Sequence, residues 1–344
     1  MNKYTFALSL LLCLAACSHK KQALEAHVFT VDTVCAHTPV LNQGRTSTCW
    51  AYALASLLES DRMATGVPDT VRLSPMYVVR QKYLKQFDAY YYSGGREEIR
   101  NGGLGHSFLR VLEEDGVLPL EAYRGCRPES KRHDHRGLLK QLKKLAAEAV
   151  KHRDLSGYRK RAVALLDEEM GAVPDSFLYR GKSYTARSFA DSLRFKAADY
   201  MQLTSFSHHP FHTSFLLEVP DNWEHRPYFN LPLDELEQAV RRALATGRTV
   251  AWHGDVSEAT FSARQGMALW PHHPVTQEMR QHDFEHFLTT DDHIMHIIGT
   301  AHDEAGRFYY LLKNSYGRYG SYDGLLYMSE DYFRAKTLSV LLRK

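Results

Sequence analysis

The sequence contains only five cysteines, no marked excess of either charge and, after its first 16 residues, no long hydrophobic run. Its 43 Lys and Arg nearly balance its 40 Asp and Glu, so the net charge of +3 gives no reason to expect nucleic acid as the main ligand. A mean hydropathy of -0.41 and the lack of a second long apolar run exclude a protein with several membrane spans.

The sequence also lacks the CxxC and HExxH patterns of common metal sites. Histidines cluster at His208, His209 and His212, and again at His272 and His273, but no accompanying pattern supports a ligand set. We therefore predict no bound metal. What remains is an ordinary globular composition, with 44% apolar and 24% charged residues among 344, which excludes a disordered or fibrous chain.

The first 16 residues are typical of a signal peptide. A basic start at Lys3 is followed by an apolar run from Phe6 to Ala16, which is too short to span a membrane. The sequence Leu14-Ala15-Ala16-Cys17 resembles a bacterial lipobox, which implies cleavage before Cys17 and a lipid anchor on its sulfur. Plain secretion with a chance cysteine is the alternative. The absence of an acidic residue after Cys17 favours the outer membrane of the cell envelope over the inner one.

The number of cysteines left after signal cleavage and lipidation bears on disulfide formation. Cys13 leaves with the signal peptide and Cys17 is the predicted lipidation site, so three are left in an exported, oxidising compartment. An odd number predicts a free thiol. A disulfide between Cys35 and Cys126 would leave Cys49 free, but sequence supplies no Cα distances and the pairing stays open.

Helical and strand patterns divide the rest of the chain. Residues 17–34 are predicted as a tether and residues 35–344 as one α+β domain, with a helical N-terminal half, an antiparallel β C-terminal half and a cleft between them. Apolar periodicity predicts helices over residues 49–65, 74–87, 106–114 and 233–246. Apolar runs separated by turn residues predict strands over residues 293–299, 307–313, 324–328 and 337–342.

Residues from about 127 to 200 form a predicted helical insertion. Between Lys131 and Arg161, basic residues outnumber acidic ones while leucines keep a helical period, which predicts a helix with a basic outer face. That face is either simply solvated or in contact with phosphates or an anionic lipid surface.

The candidate catalytic residues lie far apart in the sequence. Cys49 stands at the start of a predicted helix, where the helix dipole favours a thiolate and lowers the thiol pKa. Gln43, together with the Cys49 backbone N–H, offers two donors for a developing oxyanion. His293 opens one predicted strand and Asn314 ends another, so the Asn314 carbonyl is placed to orient the imidazole. His296 competes with His293, but the two point to opposite faces of a strand.

The segments that contain Gln43 and Cys49, His293, and Asn314 resemble papain-like cysteine peptidases of the bleomycin hydrolase/aminopeptidase C branch. The resemblance covers the chain from about residue 30 onward and includes Leu73–Arg80, Leu203–Pro210, Glu218–Trp223 and Val250–Ser257. It implies that Gln43 is the oxyanion donor, Cys49 the nucleophile, His293 the base and Asn314 the orienting residue. It further implies a papain-like fold, no cofactor, peptide substrates, and substrate-binding roles for Gly102, Gly103, Asp292 and Tyr316.

The sequence departs from that branch in three places. Thr46-Ser47-Thr48 replaces the glycine expected before the nucleophile, and Tyr316 stands where tryptophan is usual. Only thirty residues follow Asn314, which leaves little chain for the C-terminal tail that receives the substrate amine in this branch. An aminopeptidase is the first prediction; an endopeptidase with an open cleft and a non-catalytic peptide-binding lipoprotein are the alternatives. The branch also implies a homo-oligomer, often a hexamer.

Overall fold

The computed structural model describes residues 28–66, 70–127, 129–130 and 132–344. The predicted signal peptide, the lipidation site Cys17 and most of the predicted tether therefore lie outside the described residues. None of the described helices combines the length and the apolar character that crossing a bilayer requires.

Three helices form the core of the N-terminal half, within a few residues of their predicted bounds. They are α1 (Cys49–Ala64), α2 (Pro75–Tyr92) and α3 (Gly105–Glu114). Every residue of α1 from Cys49 to Asp61 is buried, so this helix is surrounded by protein. The Ser74 hydroxyl caps α2 by accepting from the Tyr77 N–H, and Pro75 occupies the first turn, where its missing N–H costs nothing.

The predicted insertion is helical but contains more than one helix. It comprises α4 (Arg136–His152), α5 (Leu155–Met170), the hairpin of β2 (Phe177–Tyr179) and β3 (Lys182–Tyr184), and α6 (Ala186–Leu193). Ion pairs from Arg80 to Asp167 and from Arg159 to Asp88 join α5 to α2. Lys140, Lys143 and Lys144 on α4 are exposed, as the predicted basic face requires.

Strands of one large sheet make up the C-terminal half. They are β4 (Tyr200–Thr204), β5 (Ser214–Leu216), β6 (Pro227–Asn230), β7 (Val250–Gly254), β8 (Phe261–Ser262), β9 (Met267–Ala268), β10 (His293–Asp303), β11 (Phe308–Lys313), β12 (Leu325–Ser329) and β13 (Thr337–Arg343). Their order is β5-β6-β4-β13-β7-β10-β11-β12-β9-β8. All neighbours are antiparallel except β4 with β6 and β9 with β12, so the predicted antiparallel sheet is largely confirmed.

One strand corrects the predicted domain bounds. β1 (Phe29–Val34) pairs antiparallel with β10, although these six residues were expected to belong to the tether. The Phe29 ring stacks on Tyr327 with centroids 3.8 Å apart, which fixes the start of the strand to the sheet. The folded domain therefore begins before residue 35.

Helices cover both faces of the sheet. On one face α1 lies across β10, where Ile294 belongs to the apolar cluster of the helical half. On the other face α7 (Leu233–Ala245) and α9 (Glu330–Lys336) bury Met295 in a second cluster, whereas Phe284 of α8 (Gln277–Glu285) packs against the first cluster. Successive residues of β10 thus contact different helical layers, as the alternation of a strand dictates.

The last residues lie at the far end of α1 from Cys49. β13 pairs with both β4 and β7, and the Lys344 N–H donates to the Asp199 carbonyl. The charge of Arg343 acts on Asp61, twelve residues along α1 from Cys49, which is about 18 Å at 1.5 Å per residue. Residues 337–343 form β13, which begins opposite Gly254, the partner of His293, so only the last residues of the strand lie away from Cys49.

Candidate active site

Cys49 begins α1 and is only 8% exposed. Its sulfur lies beside the backbone of Ile294, the residue after His293, which favours the thiolate and lowers the thiol pKa. Burial nevertheless raises the thiol pKa to about 12, and the carboxylates of Asp221 and Asp291 raise it further. The position at a helix N-terminus is thus confirmed, but the predicted lowering of the pKa is wrong for the free protein, because desolvation outweighs the helix dipole.

His293 and Asn314 meet as predicted. The His293 Nε2 lies 2.8 Å from the Asn314 Oδ1, which also accepts from the Ser315 N–H at 2.7 Å. Since an amide oxygen only accepts, His293 carries its proton on Nε2 and leaves Nδ1 as the basic nitrogen. Burial lowers the pKa of His293 to about 4, while the contact with Asn314 raises it. The Tyr316 ring covers the imidazole, with centroids 5.2 Å apart.

Gln43 is tied to the same turn. Its side-chain oxygen accepts from the Ser315 hydroxyl at 2.9 Å, and its backbone N–H donates to the Ser315 carbonyl at 2.8 Å. With the amide oxygen engaged, the NH2 group is the end of the side chain that can donate to an oxyanion. These two bonds hold Gln43 beside Ser315, the residue that follows Asn314.

The loop before the nucleophile has an unusual backbone. At Gly44, φ is +67°, and a Cβ would overlap the carbonyl oxygen of His133. Ser47 also has a positive φ, 50°, which is unfavourable for a residue with a side chain. Thr48 occupies the N-cap position of α1, but its side chain makes no capping hydrogen bond. The absence of glycine at Ser47 is thus accommodated by strain.

Gly102 and Gly103 lie beside the start of α1. A Cβ on Gly103 would be 2.9 Å from the Trp50 ring, and Trp50 donates from Nε1 to the Asn101 carbonyl at 3.1 Å. A Cβ on Gly102 would overlap the carboxylate of Asp221. Only glycine permits both close contacts. The segment predicted to bind substrate therefore lies against Trp50, the residue after Cys49.

Asp292 makes its contacts with neighbouring loops. Its carboxylate accepts from the Thr290 hydroxyl at 2.9 Å and from the Val256 N–H at 3.3 Å. Burial and the nearby Asp255 raise its pKa. These contacts position the turn that precedes His293.

A buried charged cluster next to the site was not predicted. Asp291 accepts from His253 Nε2 at 2.7 Å and from the Asp221 N–H at 3.0 Å. Lys82 donates to the carbonyls of Arg100 and Gly102, and burial lowers its pKa to about 7. The conspicuous sequence Glu218-Val219-Pro220-Asp221-Asn222-Trp223 was the one signal available for this cluster.

The remaining polar candidates have other roles. Cys35 and Cys126 are free, so the disulfide considered from the sequence is not formed in this structure. His296 faces α1, where its Nδ1 lies 2.8 Å from the Ser56 hydroxyl, and it does not share the contacts of His293. The predicted choice of His293 over His296 agrees with this geometry.

His208, His209 and Glu218 bring three potential metal-ligand atoms within 4.8 Å of one another. The Gln281 oxygen accepts from the Ser207 N–H at 2.6 Å, which directs the Gln281 NH2 to His208 Nδ1 at 2.9 Å. His208 Nδ1 is therefore an acceptor, and its Nε2 carries the proton that lies towards Glu218. A metal ion would need that Nε2 unprotonated, so the arrangement fits a hydrogen-bonded cluster better than a metal site.

Comparisons with known proteins agree with this architecture. Residues 175–344 match the model of the Peptidase C1-like family. The crystal structure of PepW from Lactobacillus rhamnosis superposes with a TM-score of 0.73 at 17% identity, covering 92% of this chain and 82% of that chain. Xylellain, a cysteine protease from Xylella fastidiosa, gives a TM-score of 0.48 at 16% identity, covering 90% and 85% of the two chains. No curated protein matches the chain in sequence.

The predicted α+β, papain-like fold is thus confirmed by the superposition with PepW. The family match to the half that carries His293 and Asn314 supports a papain-like cysteine peptidase.

Proposed function

We propose that the protein is a cysteine peptidase in which Cys49 is the nucleophile and His293 the base. The observation that carries this proposal is the junction of α1 and β10, where the Cys49 sulfur lies beside the backbone of Ile294, next to His293, while Asn314 holds the imidazole. A thiol, an oriented imidazole and an amide acceptor together are the constellation for acyl transfer.

The reaction starts from a neutral thiol and a neutral imidazole. His293 Nδ1 takes the Cys49 proton as the sulfur attacks the peptide carbonyl, and the Asn314 oxygen stabilises the imidazolium that forms. The Gln43 NH2 and the Cys49 N–H receive the oxyanion. The imidazolium then protonates the leaving amine, which yields an acyl-enzyme. His293 next takes a proton from water, whose oxygen attacks the acyl carbon; the imidazolium then returns a proton to the departing Cys49 sulfur, which releases the product acid and restores the thiol.

We place the substrates among peptides with a free amino terminus, as for an aminopeptidase. The test compares one peptide in free and N-acetylated form, hydrolysed by the full-length protein in detergent micelles with a reducing agent. Cleavage of the free form that disappears in Cys49→Ala is the expected result. Cleavage of both forms at internal bonds would establish an endopeptidase. Cleavage of neither would leave a peptide-binding lipoprotein.

We also propose that the chain is anchored in the cell envelope through lipid on Cys17. The basis is the lipobox-like sequence, which lies outside the described residues. Mass spectrometry of the amino-terminal peptide should show diacylglycerol on Cys17, and Cys17→Ser should move the protein to the soluble fraction. An unmodified Cys17 in mature protein would refute the anchor.

A further inference from the structure

Residues 219–224, between β5 and β6, connect the two halves of the molecule close to Cys49; we call them the crossing segment. On the sheet side, the Asp221 N–H donates to the Asp291 carboxylate at 3.0 Å. On the helical side, Glu224 accepts from Ser107 at 2.6 Å and from Arg110 at 2.9 Å, both on α3. These bonds fix the crossing segment at both ends.

The Asp221 side chain points to the glycine pair. Its carboxylate lies against Gly102, at the place that a Cβ there would occupy. Its charge acts on the Cys49 thiol, more strongly than that of Asp291. Asp221 is thus a half-buried carboxylate within electrostatic reach of the sulfur that would attack a substrate.

Resident cations act on this carboxylate without contacting it: the charges of Lys82, His253 and Arg100 lower its pKa. Among the residues that the structure describes, no basic side chain forms an ion pair with Asp221 within 4.0 Å. The nearby Lys82 ammonium donates instead to the carbonyls of Arg100 and Gly102. Burial, followed by the charge of Asp291, raises the pKa of Asp221 to about 6. At neutral pH the carboxylate is largely ionised and under-compensated, so a cation brought by a ligand would stabilise it.

The crossing segment borders a cavity on the side of Val219 and Pro220. This cavity of about 550 Å³ is lined by Val219 and Pro220 of the segment, by Asp291 and by Leu338. An ammonium group one or two residues from the carbonyl bound at Cys49 would lie within about 7 Å of it, since an extended chain rises about 3.5 Å per residue.

We infer that the crossing segment closes one end of the cleft and that Asp221 binds an ammonium group of the peptide substrate there. The inference rests on the proposed peptidase function. The ammonium is either the α-amine of the first residue or the ε-amine of a lysine side chain, and the two sources are separated below.

The test measures binding, so that it does not depend on turnover. Full-length Cys49→Ala in detergent is titrated by calorimetry with Ala-Phe-Ala amide, its N-acetyl form and N-acetyl-Lys-Phe-Ala amide. We expect the free peptide to bind at least about tenfold more tightly than the acetylated one, as for an ion pair to a partly buried carboxylate. Tight binding of the acetylated lysine peptide alone would identify the ε-amine as the source.

Adding Asp221→Asn, which keeps the shape of the side chain, should reduce the preference to less than about twofold. The matched control is Asp175→Asn, an exposed aspartate of the insertion, which should leave the preference unchanged. The inference is overturned if Cys49→Ala alone shows no preference for an ammonium, if it binds none of the peptides, or if Asp221→Asn retains the preference.

Hydrolysis of the same peptides by the wild-type protein separates this result from the proposed function. Amine-dependent binding without Cys49-dependent cleavage would refute the peptidase and keep the amine receptor. Cys49-dependent cleavage with equal binding of free and acetylated peptides would keep the peptidase and refute the receptor.

Discussion

Helix α1 and strand β10 meet at two places, and the two contacts differ in chemistry. At the site end, Cys49 lies beside Ile294 and Tyr316, and His293 contacts Asn314. At the interior end, about two turns along α1, Ser56 accepts from the Lys313 ammonium at 2.8 Å and contacts His296 at 2.8 Å. Both histidines are buried, and burial lowers the pKa of each.

The partners of the two histidines determine what each can do. Asn314 presents an oxygen to His293, which raises the imidazole pKa and stabilises an imidazolium. The Lys313 charge acts on His296 in the opposite direction and opposes protonation. Burial alone therefore does not distinguish a base from a structural histidine, whereas the charge and polarity of the contacting atom do.

Exchange of each histidine for alanine gives the largest expected effects and tests this comparison directly. His293→Ala should lower kcat/KM about 10²–10⁴-fold, because the general base is lost. His296→Ala should lower the free energy of unfolding by about 2–4 kcal/mol, through a cavity and a lost hydrogen bond, with little effect on kcat/KM of the folded protein. The measurements are peptide hydrolysis and urea unfolding of both variants.

The comparison would break if His296→Ala, assayed where it is fully folded, lost as much activity as His293→Ala. A loss of stability in His293→Ala equal to that of His296→Ala would also contradict it. Cys49→Ala supplies the background rate for both assays.

Removal of the histidine partners should give smaller effects. Asn314→Ala should lower kcat up to about 10²-fold, because His293 loses its orientation, and should shift the acid limb of the pH–rate profile to lower pH. Ser56→Ala, the matched change at the interior end, should leave kcat and the profile unchanged. An unshifted acid limb in Asn314→Ala would show that Asn314 does not orient the base.

The sequence was sufficient to predict the site end. Cys49 and Gln43 lie six residues apart, and His293 and Asn314 each stand in a characteristic short sequence. The residue types in these short segments were therefore enough to identify the candidate catalytic residues. The predicted helices and the four predicted C-terminal strands agree with the structure because apolar periodicity is a local property.

The charged surroundings could not be predicted in the same way. Asp221, Lys82 and Asp291 come together from segments separated by tens of residues, and only tertiary packing places them beside Cys49. The pKa of Cys49 was mispredicted for the same reason. The sequence predicts that Cys49 lies at a helix N-terminus, but it does not predict how deeply the thiol is buried. Likewise, β1 was assigned to the tether because its pairing partner β10 lies some 270 residues later.

Acid should weaken both ends of the α1–β10 contact. An unfolded histidine takes up a proton near pH 6.5, whereas folded His293 does so only near pH 4, so the unfolded state binds more protons between these values. His293 and His296 therefore contribute stability that is complete above pH 6.5 and is lost as the pH falls towards 4. Asp221, whose pKa is raised to about 6, offsets part of this loss because its folded form is protonated first.

We expect a net fall in the free energy of unfolding on the order of 1–2 kcal/mol between pH 7 and pH 4.5. Urea unfolding at several pH values measures it, and the fall should be smaller in His296→Ala than in wild type. A flat profile in the wild type would contradict the assigned direction of both histidine shifts.

The smallest expected effect concerns the backbone before Cys49, which is strained at the site end of α1. Ser47 has a φ of 50°, so Ser47→Gly should relieve about 1 kcal/mol of strain. The added freedom of glycine in the unfolded chain takes back part of this gain, and we expect a net stabilisation of about 0.5 kcal/mol in urea unfolding. Ser60→Gly, within the same helix, should instead destabilise by about 1 kcal/mol. Equal destabilisation by both changes would show that the left-handed backbone at Ser47 carries no strain.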